Sequence, residues 1–246
     1  MKKILGLTFA LAMTLSNLQG LRGEETQGEQ RPWSSSIGFG YNTTRGNSET
    51  NNLALTFQAI REVKKTKWST NANVTYATTE GDATANRGGV KTQYDVKQTD
   101  RVFYFGKAGF EYDKFAQLDL RTSPGAGVGY IVMKEEKTNL SVSTGANFVT
   151  DFFSDDTKDS RGTLSISEEL SHALTSTAGL IQTFNIQNNF EDFGDYLIDV
   201  EVSVTTKVSE NLALKASLLD KYDSDPFSEE LKKNDITFLT SLNYSF

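Results

Sequence analysis

His172 is the only histidine in the chain, and it has the widest range of acid–base chemistry among the residues present. Its neighbour Ser171 could supply the nucleophile of a Ser–His pair, the core of a hydrolase site. Adjacent residues on a β-strand face opposite sides, so these two side chains cannot meet within one strand. We therefore interpret His172 as a turn histidine and expect the protein not to be an enzyme.

Two acidic segments could bind calcium, because Ca²⁺ takes oxygen ligands. Their acidic residues are Asp151, Asp155, Asp156 and Asp159 in the first segment, and Glu191, Asp192 and Asp195 in the second. The spacing does not match an EF-hand, and solvated acidic loops are the simpler interpretation. With one histidine and no cysteine, the chain lacks a ligand set for a histidine- or thiolate-based metal site. No glycine-rich phosphate loop is present either, so we expect no cofactor.

Charged residues also alternate with apolar ones in segment 110–121, which reads FEYDKFAQLDLR. On strands, its acidic residues and its arginine share one face, while Phe110, Tyr112, Leu118 and Leu120 share the other. The same face of neighbouring segments carries further charges. The predicted charge cluster comprises Lys107, Glu111, Asp113, Asp119, Arg121, Asp199 and Glu201. Gly125, Gly127 and Gly129 share this face, where they either relieve crowding or leave open space beside the charges.

The elements that carry these charges alternate with period 2 from residue 33 to the C-terminus, as half-exposed strands do. In the last segment Ile236, Phe238, Leu242 and Tyr244 share one face. The alternation predicts about twelve strands, most of them longer than the roughly 9–11 residues that a tilted strand needs to cross a bilayer. Their approximate spans are 33–44, 50–62, 67–79, 86–96, 101–114, 118–133, 138–153, 161–172, 176–187, 195–207, 211–222 and 235–246.

The connections between these strands alternate between short turns and longer, more acidic or glycine-rich loops, among them 80–85. Gly46-Asn47 reads as a tight hairpin turn. Aromatic residues lie near the strand ends, as expected for two interfacial belts. The loop-side belt comprises Tyr41, Tyr76, Tyr112, Phe152, Tyr196 and Tyr222. The turn-side belt comprises Trp33, Trp68, Tyr104, Tyr130, Tyr244 and Phe246.

In hydrocarbon every backbone polar group needs a partner, so strands cross a membrane only as a closed sheet. We therefore predict an all-β fold, a transmembrane antiparallel up-and-down β-barrel of about twelve strands. The low hydrophobic content of 37% fits a wall with only one apolar face. About eight strands leave a filled interior and sixteen or more a wide channel, so a narrow polar lumen follows. The charge cluster would then be either a salt-bridge cluster that fixes strand register or a constriction that selects solutes.

The N-terminus reads as a secretory signal peptide, with Lys2 and Lys3 before a short apolar run. We expect the signal at 1–20, with cleavage between 20 and 23, a flexible leader at 21–32 and the barrel at 33–246. The formal net charge of −7 argues against nucleic-acid binding, which requires a concentrated basic surface. Without cysteine the exported chain has no disulfides and no lipidated cysteine.

Three motifs resemble the YdiY-like family of salt-induced outer-membrane proteins (domain of unknown function 481). They are TTRGNSETNN at 43–52, FEYDKFAQLDLR at 110–121 and PGAGVGY at 124–130. The resemblance implies a barrel in the outer membrane, surrounded by its lipid, and no settled activity. The final Phe246 is similar to the signal that such barrels present to the barrel-assembly machinery.

We predict a narrow passive channel for small hydrophilic solutes or ions. A plugged structural or adhesive envelope barrel is the alternative, and a lipid-modifying enzyme that uses His172 is the third hypothesis. The oligomeric state stays open.

Overall fold

The computed structural model describes residues 33–44, 50–226 and 233–246. The predicted signal peptide (1–20), leader (21–32) and Gly46-Asn47 turn lie outside these residues. None of the described residues forms a helix long and apolar enough to cross a bilayer. The strands found in the described residues are β1 (Trp33–Thr44), β2 (Thr50–Val63), β3 (Thr66–Thr79), β4 (Asp82–Lys97), β5 (Val102–Asp113), β6 (Leu118–Thr122), β7 (Gly125–Lys134), β8 (Thr138–Phe153), β9 (Lys158–Ala173), β10 (Ala178–Asn189), β11 (Tyr196–Lys207), β12 (Leu212–Asp223) and β13 (Asn234–Ser245).

All neighbouring strands are antiparallel, and the sheet closes because β13 pairs with both β12 and β1. Strands β6 and β7 each pair with β5 on one side and β8 on the other, so together they make one crossing. The described residues therefore form a closed barrel of twelve crossings. This confirms the predicted all-β, up-and-down barrel.

The sequence predicts one continuous strand over 118–133, whereas the structure divides it at Ser123 and Pro124. Proline has no backbone N–H, so it cannot donate to a sheet ladder. The pairing is not lost, because Ser123 exchanges two backbone hydrogen bonds with Gly109 and the Pro124 carbonyl accepts one from Phe148. The break is therefore a local irregularity within one crossing.

The loop predicted at 80–85 is wrong, because β3 and β4 are joined by a two-residue turn. Both turn residues have positive φ, 55° at Glu80 and 92° at Gly81. Positive φ at both central positions is the requirement of a type I′ hairpin turn, whose twist matches that of the strands. The contrast between short turns and long loops is therefore weaker than the sequence suggests.

Large apolar side chains cover the outer face of the barrel. Opposed pairs such as Ile37 with Phe57 share this face, and both side chains are exposed. The predicted aromatic belts lie on it as well. Trp33 and Trp68 have ring centroids 5.9 Å apart at the turn side, and Tyr196 and Tyr222 stack 5.8 Å apart at the loop side. An apolar outer face is what a lipid environment requires.

The seam between β1 and β13 is paired over only part of its length. Its register runs from Ser36 opposite Ser245 to Gly40 opposite Ser241. Strand β1 nevertheless continues to Thr44, and β13 begins at Asn234. Among the described neighbouring strands, this is the one pair in which both strands continue beyond their last paired residues on the loop side.

Candidate functional site

Arg87 on β4 identifies the inner face of the barrel. Its guanidinium donates to the carboxylate of Asp235 at 3.2 Å and to the hydroxyl of Thr237 at 2.9 Å, both on β13. Strands β3, β2 and β1 separate β4 from β13 around the wall. A side chain can bridge strands so far apart only through the interior. Residues that share the face of Arg87 therefore line the lumen.

The most buried charge on this lining is Asp151 on β8, whose side chain is 1% exposed. Arg121 on β6 binds it in a bidentate manner, with Nε and Nη2 at 2.6 and 2.7 Å from the two carboxylate oxygens. Arg161 on β9 donates to the same carboxylate at 3.0 Å and to Asp159 at 2.7 Å. Two arginines thus neutralise one buried carboxylate and connect β6, β8 and β9.

The register explains why these groups meet. Arg121 lies directly opposite Asp151 on β8, and Arg161 occupies the adjacent strand on the other side of β8. Glu111 is also opposite Arg121, on β5, but its carboxylate forms an ion pair elsewhere. Of the predicted cluster, therefore, only Arg121 belongs to this network. Asp151 and Arg161 are absent from the predicted cluster. The signal that could have found them is the alternation along β8 and β9, which places Asp151, Asp159 and Arg161 on the inward face.

Glu111 pairs instead with Lys91 on β4, with 2.6 Å between carboxylate and ammonium. The side chain of Lys91 is 60% exposed, although it points into the barrel, and that of Glu111 is 23% exposed. Asp199, on β11 across the lumen, also interacts electrostatically with Lys91. Two of the predicted cluster residues thus face one lysine that the prediction omits.

The remaining predicted cations and anions lie in separate groups. Glu201 accepts hydrogen bonds from Lys215 at 2.8 Å and from Ser217 at 3.3 Å, both on the neighbouring β12. Lys107 reaches across to the Ser165 hydroxyl on β9 at 3.3 Å. The Lys107 ammonium also lies 5.7 Å from the centre of an aromatic ring on its own strand, that of Phe105.

The prediction that Asp113 and Asp119 meet Glu111 and Arg121 across the hairpin is not what the structure shows. The carboxylate of Asp113 accepts hydrogen bonds from the backbone N–H groups of Phe115 and Ala116, at 3.0 and 3.3 Å. It therefore stabilises the turn after β5. Asp119 is exposed and accepts a hydrogen bond from the Ser154 hydroxyl at 2.7 Å. Asp113 and Asp119 both lie at the end of the barrel, beyond the register shift between Glu111 and Asp113.

The inward glycines do not leave open space beside the charges. Phe105 points inward and is only 6% exposed, because its ring lies against Gly127 and Gly145. The ring of Phe103 covers Gly129 in the same way. A side chain at these glycines would collide with the rings, so the glycines relieve crowding. The signal for this arrangement is the parity of β5, where outward Phe110 places both phenylalanines on the inner face.

His172 and the first acidic segment, the candidates for catalysis and calcium binding, form local hydrogen bonds. His172 Nδ1 is 2.8 Å from the Thr138 hydroxyl, and His172 lies on the face of β9 opposite to Ser171. Over the described ranges, no three acidic or histidine side chains are grouped closely enough to hold a metal ion. Within the first acidic segment, Asp155 accepts hydrogen bonds from the hydroxyl and the backbone N–H of Thr157, and these lower the pKa of Asp155.

Comparison with known protein families identifies the family of this chain. A family model described as "Protein of unknown function, DUF481" matches residues 37–246. The chain belongs to this family. The comparison with curated proteins gives no match. The membership confirms the resemblance to domain of unknown function 481, whereas the YdiY-like name stays a prediction.

Solved structures are similar in fold. The COG4313 outer membrane channel from Pseudomonas putida F1 has a TM-score of 0.52 and 10% identity, covering 91% of this chain and 98% of its own. The NanC porin has a TM-score of 0.50 and 10% identity, covering 86% and 98%. At this identity the likeness shows the fold alone. That fold is the barrel of outer-membrane channels and porins, and neither neighbour is named as an enzyme.

Proposed function

We propose that the protein is a narrow passive channel of the outer membrane for small hydrophilic solutes or ions. The observation that carries the proposal is the environment of Lys91. This side chain points into the barrel from the middle of β4, yet 60% of its surface is exposed. An inward side chain with this much exposed surface in the middle of a strand supports a lumen wide enough to hold water.

The lining of this lumen suits polar solutes. Both ion pairs and hydrogen-bonding side chains line it, so a permeating ion would exchange its hydration shell for protein oxygens and ammonium groups. The charged pairs Lys91–Glu111 and Lys215–Glu201 lie on different strands and leave part of each side chain exposed.

Conductance of the purified chain in planar bilayers tests the proposal, and a pair of cysteine variants makes the test specific. The chain has no native cysteine, so Lys91→Cys introduces a single thiol inside the barrel. Val90→Cys is the matched control, because Val90 is the adjacent residue on β4 and is exposed on the outer face. We expect a charged, water-soluble methanethiosulfonate reagent to change the current through the Lys91→Cys variant and to leave the Val90→Cys variant unaltered.

A folded barrel without current at any voltage would contradict the channel and favour the second candidate, a plugged structural or adhesive barrel. A specific observation supports this rival. Arg87 reaches β13 and Lys107 reaches β9 through the interior, while Phe103 and Phe105 also occupy inward positions. These contacts narrow the lumen. The rival predicts normal folding, no current, and a defect in envelope integrity when the gene is deleted.

The location belongs to the same proposal. The chain would be exported through the signal peptide at 1–20. The barrel-assembly machinery would then recognise the C-terminal strand that ends in Phe246, and the folded barrel would contact outer-membrane lipid. N-terminal sequencing of the protein from isolated outer membranes tests the first step, with a new N-terminus between residues 21 and 24 expected. Truncation of Phe246 should reduce insertion, whereas unchanged insertion would exclude this residue as part of the signal.

A further inference from the structure

Lys107, in the middle of β5, is a cation of the lumen without a counter-charge. Over the described residues no carboxylate forms an ion pair with it, and the charged group that interacts with its ammonium is that of Lys91 on the neighbouring β4. Its hydrogen-bond partner is neutral, the Ser165 hydroxyl at 3.3 Å. Asp95, beside Lys107 on the ladder with β4, instead accepts a hydrogen bond from Gln93 at 2.8 Å. Lys107 therefore brings an unbalanced positive charge to the lumen wall.

The other inward cations of β4, β6 and β9 all have a carboxylate partner, which makes Lys107 the exception on this side of the barrel. The pairs are Arg87 with Asp235, Lys91 with Glu111, Lys97 with Glu62, Arg121 with Asp151, and Arg161 with Asp151 and Asp159. Each of these cations is held by a fixed negative charge of the protein. The ammonium of Lys107 is the one among them that can gain a counter-charge from a solute.

Two ammonium groups lie next to each other at this point of the inner face. Lys107 is opposite Gln93, and Lys91 is the next inward residue of β4 toward the loops. Lys91 is exposed and Lys107 is half-buried. An ammonium has three N–H donors, and the structure uses one of Lys91 for Glu111 and one of Lys107 for Ser165. Donors of both lysines are therefore free to bind an anion, which would also relieve the repulsion between the two charges.

The wall beyond Lys107 is uncharged. Its neighbour on β7 is Gly125, and Ser165 on β9 lies opposite Gly145 on β8. A cleft with low-dielectric walls focuses the field of its charges and raises the local concentration of counter-ions. Because Lys91 is already paired with Glu111, the excess at this point is a single positive charge. A single negative charge balances it, whereas a multivalent anion would leave a new excess of the opposite sign.

We propose that Lys107 and Lys91 form a binding site for a small monovalent anion in the middle of the lumen. The anion, a carboxylate of an organic acid or an inorganic ion such as chloride, accepts hydrogen bonds from both ammonium groups. Lysine and arginine side chains serve anion pores in this way. The proposal rests on the proposed channel, because the anion reaches the site through a hydrated lumen, and it names small anions as a class of solute.

Fluorine NMR of trifluoroacetate measures binding to this site without any current. The full mature chain is folded in the non-ionic detergent dodecyl maltoside, and neutral trifluoroethanol controls for uptake by the micelle. Lys107→Gln removes the unbalanced charge. Lys215→Gln is the matched control, because it removes the same charge from a lumen lysine that is paired with Glu201. We expect the native chain and Lys215→Gln to broaden the trifluoroacetate line, Lys107→Gln to lose most of this broadening, and Lys107→Arg to retain it.

Three results would overturn the site. The native chain could broaden trifluoroacetate no more than trifluoroethanol, Lys107→Gln could broaden it as strongly as the native chain, or Lys215→Gln could lose as much as Lys107→Gln. The last result would mean that the general charge of the lumen attracts the anion. Heat-modifiable electrophoretic mobility verifies folding of each variant, and Lys107→Met replaces Lys107→Gln should the latter not fold.

Chloride and acetate are then added as competitors of trifluoroacetate. Displacement by chloride indicates an inorganic ion and displacement by acetate an organic acid, and either supports a site for a monovalent anion. Displacement by neither would contradict it. Because binding is measured in solution, its failure differs from that of the channel: a conducting barrel without broadening loses the site alone, and a barrel with broadening but no current loses the channel alone.

Discussion

Replacing Asp151 by asparagine removes the negative charge that two arginines share. The carboxylate is 1% exposed and accepts three hydrogen bonds, at 2.6, 2.7 and 3.0 Å. Asparagine keeps a single, neutral acceptor oxygen in place of the two charged ones. Arg121 and Arg161 would then repel each other without a shared counter-charge, and water screens them little because their side chains are only 19% and 14% exposed. Breaking a buried ion pair by removing one partner costs about 3–5 kcal/mol. We expect the free energy of unfolding to decrease by about this amount.

Urea unfolding of the refolded barrel in lipid vesicles measures the change, with tryptophan fluorescence as the signal and heat-modifiable electrophoretic mobility as the independent record of folding. Asp159→Asn is the matched control. Asp159 binds the same Arg161 at 2.7 Å, but its side chain is 56% exposed. Pairs with such access to water contribute about 0–1 kcal/mol, so the control should lose no more than that.

Equal and small losses for Asp151→Asn and Asp159→Asn would refute the reasoning, because they would mean that water screens the lumen network completely. A double-mutant cycle with Arg121→Gln adds an independent measure. Residues in direct contact show interaction energies of about 0.5–3 kcal/mol, so the two single losses should not add. Simple additivity would show that the bidentate pair contributes nothing of its own.

Two further changes probe the lining and the turn. Gly127→Ala should destabilise the barrel by about 1–3 kcal/mol, because the new methyl group would collide with the backbone carbonyl of Thr144 and with the Phe105 ring, whereas Gly106→Ala has open space and should change stability by at most about 0.5 kcal/mol. Equal urea midpoints for the two variants would contradict the packing of the ring on the glycines. Asp113→Ala removes two acceptor contacts to the turn after β5 and should cost about 1 kcal/mol, while Asp113→Asn keeps an acceptor and should cost less. A larger loss for Asn than for Ala would refute the capping role.

The sequence was sufficient for the architecture because the membrane imposes a single rule on every strand. Apolar and polar side chains must alternate, and this pattern is readable at Ile37 and Phe57 without knowing which strands are neighbours. The number of crossings follows by counting such segments. Irregularities do not follow, because the break at Pro124 and the positive φ at Glu80 depend on local backbone geometry. The break at Pro124 interrupts a strand that the alternation predicts as continuous, and the tight turn at Glu80 lets β4 begin earlier than the alternation predicts.

The ion pairs were much less predictable than the strands. Alternation indicates that Glu111 and Arg121 share a face, and the structure places them opposite each other. Their partners, however, depend on the register with strands distant in sequence. Arg121 selects Asp151 thirty residues away, and Arg87 selects Asp235 across the lumen. Because each strand can slip by two residues and keep its pattern, a single sequence leaves these choices open.

The pairing of lumen charges changes what neutralising substitutions should do to ion selectivity. If the protein conducts, Glu111→Gln leaves the ammonium of Lys91 without its nearest counter-charge, at a position that is 60% exposed. The reversal potential in a salt gradient should therefore shift toward anions. Lys91→Gln should shift it toward cations, because the carboxylate is then unpaired. Since the pair is neutral as a unit, the double substitution should restore a value near that of the native protein.

Asp113 and Asp119 serve as the comparison, because the structure places them at the loop-side end and outside the ion pairs. Their replacement by asparagine removes charge from the mouth without liberating a cation, so the shift should be smaller and should decrease further as ionic strength screens exposed charges. A selectivity that responds to Asp113 and Asp119 but not to Glu111 or Lys91 would locate the filter at the mouth. A selectivity unaffected by all four would exclude the charged lining as its origin.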